Sequence, residues 1–160
     1  MTREDALENL AQSRQAFQEA IEGLSEEEKT QVQVEGVWTI KDIIGHLSSW
    51  EVMFVEPMQG YADRGVFECD VMADYGSYND KEAARKRDVP LDAILSEAAT
   101  VRQGLVAAAN ELSVEQLEAE VALPWGGTGT LSGVLGDLKG HEMEHLGAIQ
   151  QWRQGDGVTG

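Results

Sequence analysis

The chain has little that would tie it together covalently or anchor it in lipid. It carries one cysteine, Cys69, so no disulfide can form within it. A lone thiol asks for no oxidising compartment and points to the reducing cytoplasm. Cys69 stands between Glu68 and Asp70, whose charges disfavour the thiolate, and is expected to be a spectator. No run of roughly 18 apolar residues exists, which excludes a membrane-spanning helix of the usual kind. The start, Met1-Thr2-Arg3-Glu4-Asp5, is charged at once and has no apolar leader segment. Positive charge is scarce: 12 Lys and Arg stand against 29 Asp and Glu, a net charge of −17. Such a surface repels phosphate backbones and anionic lipid, so neither nucleic acid nor a membrane is expected as a partner. The acidic residues are spread along the chain, which reads as a solubilising surface rather than an acidic arm.

What is present is helical periodicity. Leu7, Leu10, Phe17, Ile21 and Leu24 form one apolar stripe, interrupted at Arg14, behind a capping-box start at Thr2 and Asp5. A second stripe runs through Ile40, Ile43, Ile44, Leu47, Trp50 and Phe54, capped by Thr39 and expected to end before Pro57. Residues 58–78 lack periodicity and predict a long ordered loop, with a short helix from Asn79 to Arg87. Pro90 opens a third stripe, Leu91, Ile94, Leu95, Ala98, Val101, Leu105 and Leu112. Thr130 caps a fourth, through Leu131, Val134, Leu135, Leu138, His141, His145, Ile149 and Trp152. No alternating strand pattern stands out. The simplest architecture is an all-α four-helix bundle with short extra helices in its connections. The glycines at 126, 127 and 129 have neither the spacing nor the βαβ setting of a phosphate loop and predict a flexible turn.

The chain has three histidines, His46, His141 and His145. His141 and His145 sit one helical turn apart, on positions where the pattern calls for apolar core. Two unpaired imidazoles buried side by side would be costly unless one partner satisfied both. A divalent ion does so, and His46 on the second helix would complete a three-ligand site with an open position. The segment His141-Glu142-Met143-Glu144-His145 also matches H-E-x-x-H, the zinc-protease helix. Ala148 and Gln151 stand where the extended protease pattern needs glycine and histidine, and no strand-rich lobe is present to hold a peptide. The protease reading is set aside.

These residues carry a resemblance. The segment Trp38-Thr39-Ile40-Lys41-Asp42-Ile43-Ile44-Gly45-His46-Leu47 resembles the second-helix signature of the DinB/YfiT-like superfamily. So do the final H-x-x-x-H helix with Gln150-Gln151-Trp152-Arg153, and the Trp125-Gly126 loop before Thr130-Leu131. The resemblance covers nearly the whole chain. It implies one bundle domain over 1–154 with a short tail over 155–160, and a divalent metal on His46, His141 and His145. Zinc or nickel is the first expectation, with iron, manganese or copper compatible. Such proteins include thiol-dependent transferases and a mycothiol-dependent isomerase. The implied function is a metal-dependent S-transferase or hydrolase acting on a small electrophile, with a low-molecular-weight thiol as cosubstrate. A homodimer is compatible with such a bundle. Glu142 is the candidate catalytic residue, as proton acceptor or as a partner behind a ligand; the alternative is a plain helix carboxylate. Trp50, Tyr61 and Trp125 are candidates for pocket lining or for core. Arg85, Arg87 and Arg102 are the candidates for a basic group that would hold a carboxylate-bearing thiol, and the preferred expectation places each at the surface. The segment Tyr78-Asn79-Asp80-Lys81 with Arg85 and Arg87 resembles the ClbS/DfsB-like branch, which implies the alternative of a non-catalytic binding or self-protection protein.

Overall fold

Reciprocal caps start four of the helices. Thr2 accepts from the Asp5 amide while Asp5 reaches back to the Thr2 amide, and the same pairing recurs at Ser25/Glu28, Thr39/Asp42 and Ser113/Gln116. The structure, a computed structural model, describes residues 2–156; the rest of the expected tail lies outside them. The long helices are α1 (Arg3–Ile21), α3 (Ile40–Arg64), α5 (Leu91–Glu111) and α7 (Leu131–Gln151). Short helices α2 (Glu26–Thr30), α4 (Tyr75–Lys86) and α6 (Val114–Glu118) lie in the connections, and a π-helical turn, Trp152–Asp156, follows α7. This is an all-α four-helix bundle, with α3 packed chiefly on α5 and α1 on α7. None of the described helices is long and apolar enough to cross a membrane.

Two antiparallel ribbons differ from the expectation of no strands: β1 (Gln33–Glu35) pairs with β2 (Trp38–Thr39), and β3 (Glu120–Ala122) with β4 (Thr128–Thr130). Strands of two or three residues are too short to show a period of two. Each ribbon delivers the cap of the next long helix, Thr39 for α3 and Thr130 for α7. The chain thus runs twice through the order long helix, short helix, ribbon, long helix.

A second correction concerns Pro57, which does not end α3. The helix continues to Arg64 and stops at Gly65, whose φ of 79° lets its amide close on the Tyr61 carbonyl. A proline inside a helix costs about 3 kcal/mol. Phe54 and Met58 flank it with no exposed surface, and burying each contributes about 1.5–3 kcal/mol. Burial therefore outweighs the lost hydrogen bond. The irregular stretch shrinks to residues between Arg64 and Tyr75.

The core is in two parts. One holds Leu10, Phe54, Met58, Leu105 and Leu135; the other holds Phe17, Ile40, Ile43, Ile94, Leu146 and Ile149. Between them lies a polar layer to which every long helix contributes. Ser13 and Arg14 come from α1, Glu51 from α3, Arg102 from α5 and Glu142 from α7. Arg102 Nε donates to Glu51 at 2.8 Å and its Nη2 to Glu142 at 3.1 Å; Arg14 Nε donates to Glu142 at 2.6 Å. Arg102 also donates to the Leu10 carbonyl. Its burial overturns the expectation of a surface arginine: two carboxylates inside the bundle demand two guanidiniums beside them.

Candidate metal centre

His46 lies two turns into α3, and His141 and His145 lie one turn apart on α7. The packing of these helices turns all three rings toward one point. His141 Nε2 lies 2.9 Å from His46 Nε2 and 3.2 Å from His145 Nε2, and one nitrogen from each ring falls within 4.8 Å of the others. The rings meet edge to face, with centroids 4.7 to 5.1 Å apart.

The β1–β2 ribbon supplies the support. His145 Nδ1 lies 2.5 Å from Glu35 Oε1. A carboxylate behind Nδ1 accepts its N–H and holds the ring with Nε2 facing the cluster. Trp38 packs over His46 with centroids 4.5 Å apart and reaches His145 at 6.0 Å. Burial, then the neighbouring imidazoles and Lys86, push the His46 pKa down to about 3. Burial and His145 push His141 down to about 4, against the opposing charges of Glu144 and Glu142. Both rings are neutral at neutral pH, the form that ligates metal.

The donor set fits a divalent ion. Tetrahedral ligands at about 2.0–2.1 Å from zinc stand about 3.4 Å apart, close to the two spacings from His141, 2.9 and 3.2 Å. Hydrogen bonding alone serves the cluster poorly. One Nε2 proton cannot point well at two acceptors, so some lone pair is left facing another. A cation takes up all three.

The cluster opens into a cleft of about 370 Å³ lined by His46, Trp50, Tyr75, Asn79, Trp125, Asp137, Leu138 and His141. Trp50 is central. Its indole N–H donates to Asn79 Oδ1 at 2.8 Å, and its ring lies 5.8 Å from Trp125 and 5.9 Å from Tyr75. Of the aromatic candidates, Trp50 and Trp125 line this cleft, whereas Tyr61 packs against Phe67.

Glu142 follows His141 directly, but consecutive helical residues point in different directions. Its carboxylate accepts from Ser13, Arg14 and Arg102 and makes no hydrogen bond to a histidine. Burial alone would raise its carboxyl; the charges of Arg102 and Arg14, with the Ser13 hydroxyl, outweigh burial and hold it below the usual range. The structure thus brings the three histidines together and puts Glu142 in the polar layer. Arg85 is exposed and pairs with Glu82, and Arg87 is exposed. Tyr78 donates to the Ser49 carbonyl. Sequence reasoning missed Glu35, Asn79, Tyr75 and Asp137. A metal-ligating histidine calls for a carboxylate behind it, yet 29 acidic residues offer no way to choose.

The model of the DinB superfamily matches residues 9–149. The chain belongs to the DinB superfamily. No curated protein matches its sequence. Among solved structures it is similar to the mycothiol-dependent maleylpyruvate isomerase, at 17% identity and a TM-score of 0.77 over 93% of this chain and 61% of that one. The chain therefore spans about three-fifths of the isomerase. DfsB, described as a sibling lethal factor precursor, matches at 13% identity and 0.78, over 96% of both chains. The colibactin self-resistance protein ClbS, solved in complex with double-stranded DNA, matches at 13% and 0.76, over 95% of both. An uncharacterised protein from Escherichia coli UTI89 matches at 14% and 0.78, over 98% of this chain and 95% of that one. At these identities the likeness is one of fold.

Proposed function

We propose that His46, His141 and His145 hold one divalent metal, and that the protein is a metal-dependent transferase or hydrolase acting on a small electrophile with a low-molecular-weight thiol. The observation that carries this is the convergence of three Nε2 atoms with Glu35 behind one of them. When bound, the ion supplies positive charge that stabilises a thiolate at neutral pH. Glu35 keeps the His145 lone pair aimed inward. Trp38 holds the His46 ring. Trp50 and Trp125 form the apolar wall against which an electrophile sits while the thiol sulfur bonds to its carbon. The leaving group departs with the electrons of the broken bond, and the thiol proton passes to solvent through the open cleft. Glu142 takes no part in these steps; it belongs to the polar layer.

A second reading has support of its own: DfsB and ClbS match over nearly their full length, so the same cleft could serve sequestration without turnover. We also propose a cytoplasmic protein with no affinity for duplex DNA, because a net charge of −17 leaves no broad basic footprint. The test has three parts. Elemental analysis of protein purified without a metal-affinity tag should give one metal per chain, lost in His141→Ala and His145→Ala. A panel of thiols with bromobimane or chlorodinitrobenzene should show turnover; saturable binding with none supports sequestration. A gel shift at moderate salt should show no complex, and salt-sensitive binding in the low micromolar range refutes the DNA claim.

A further inference from the structure

The walls of the histidine cleft differ from those a carboxylate substrate needs. Three rings, Trp50, Tyr75 and Trp125, face the space beside His46 and His141. The one charged side chain lining it is Asp137, which is exposed, and no Lys or Arg lines it among the described residues. Neighbouring cations are already engaged. Lys86 donates to the Gly45 carbonyl and Ser49 hydroxyl and pairs with Glu97 at 2.7 Å. Arg85 is held by Glu82, and Arg14 and Arg102 by Glu51 and Glu142. Outside the histidine cluster no lining residue can neutralise a carboxylate or sulfonate, whereas aromatic faces and Asp137 favour a ring with positive or no charge.

We propose that the cleft takes a planar aromatic ligand that carries no negative charge. This names the electrophile class for the thiol-transfer reading, and it rests on that reading for the reaction only. The aromatic walls are part of the fold, and ring binding does not require metal. Trp50 is pre-set for the role, because its indole N–H is already spent on Asn79 and only its face is free to stack. The volume of the cleft lies at the small end of ligand pockets and suits one bicyclic ring.

Trp50 and Trp125 make intrinsic fluorescence the readout. Naphthyltrimethylammonium and naphthalenesulfonate share a ring and differ in charge. Each is titrated into the full chain after chelator treatment, so that no bound ion adds its own positive charge beside the cleft, at about 0.15 M salt, where the Debye length is about 8 Å and the distant charges are screened. The cation should bind saturably and at least roughly tenfold tighter than the sulfonate. Asp137→Asn should narrow that ratio severalfold, and Asp92→Asn, exposed on α5, should leave it unchanged. Tyr75→Ser should weaken the cation; Tyr75 is half-exposed, so its removal spares the core. A sulfonate that binds as well as the cation, or a ratio that ignores Asp137→Asn, overturns the proposal. Elemental analysis of the untreated protein separates the two claims. Cation preference in the chelator-treated chain retains this inference if no metal is found, and stoichiometric metal in the untreated protein with anion preference in the chelator-treated chain sinks this inference alone.

Discussion

His145 Nδ1 lies 2.5 Å from Glu35 Oε1, a contact between residues 110 positions apart in sequence. It joins the β1–β2 ribbon to the last helix and sets which nitrogen of His145 faces the cluster. A partner behind a ligand raises the basicity of that ligand and fixes its ring, and its loss typically costs 10- to 100-fold in metal affinity. Glu35→Ala should therefore weaken zinc binding by about 10- to 100-fold while leaving the fold intact, since Glu35 is one-third exposed. Competition against a chromophoric chelator measures this. Unchanged affinity would show that the ribbon does not tune the site.

Metal removal should lower stability in a way that depends on the histidines. A ligand that binds only the folded state stabilises it by about 2.7 kcal/mol at a hundred times its dissociation constant. Added zinc should raise the melting temperature of chelator-treated wild type and leave His145→Ala unmoved. An equal rise in both would place the stabilising ion elsewhere.

Glu142→Gln should reduce stability and spare the metal. The substitution leaves Arg102 and Arg14 facing one carboxylate instead of two, inside a layer where breaking an ion pair costs about 3–5 kcal/mol. Urea unfolding should shift by that order, and the purified variant should still hold stoichiometric metal. Loss of metal with unchanged stability would return Glu142 to the site.

Tyr78 should make the alkaline limb of stability steeper. Burial, then the charge of Glu82, push its phenol up from 10.0 to about 12. The unfolded chain loses that proton first, so between these values the folded state holds more protons and stability falls as pH rises. Below pH 10 the contribution is constant. Spectrophotometric titration should show a late phenol near pH 12 that is absent in Tyr78→Phe. The variant should also lose part of the stability decline across that window.

Stability should also report the cap that aims His46. Thr39→Ala removes the hydroxyl that accepts from the Asp42 amide and leaves the other half of the pair, the residue 39 amide donating to the Asp42 carboxylate. The cost should be about 1 kcal/mol, read as a lower urea midpoint. A neutral outcome would mean that the ribbon alone positions the start of α3.

The bundle was legible in the sequence because its evidence is local. Leu131, Val134, Leu135 and Leu138 repeat every three or four residues, and Thr39 with Asp42 closes a cap within one turn. The i,i+4 spacing of His141 and His145 likewise follows from helix geometry alone. Pro57 misled because its penalty is local while the burial of Phe54 and Met58 that overrides it comes from other helices. Arg14 looked like an interruption of a stripe and Arg102 like a surface residue. Each proved to be one corner of a layer built from four helices, and no short window contains four helices. Glu35, Asn79 and Asp137 carry no periodic signal, and among 29 acidic residues nothing in the order of the chain distinguishes Glu35. The sequence by itself determined the helices, their caps and the residue types able to hold a metal, because those depend on neighbours within one or two turns. Only the tertiary structure decided that His46 meets His141 and that Glu142 turns away from both. Those outcomes depend on how α3, α5, α1 and α7 pack, and packing is set by burial summed over the whole core.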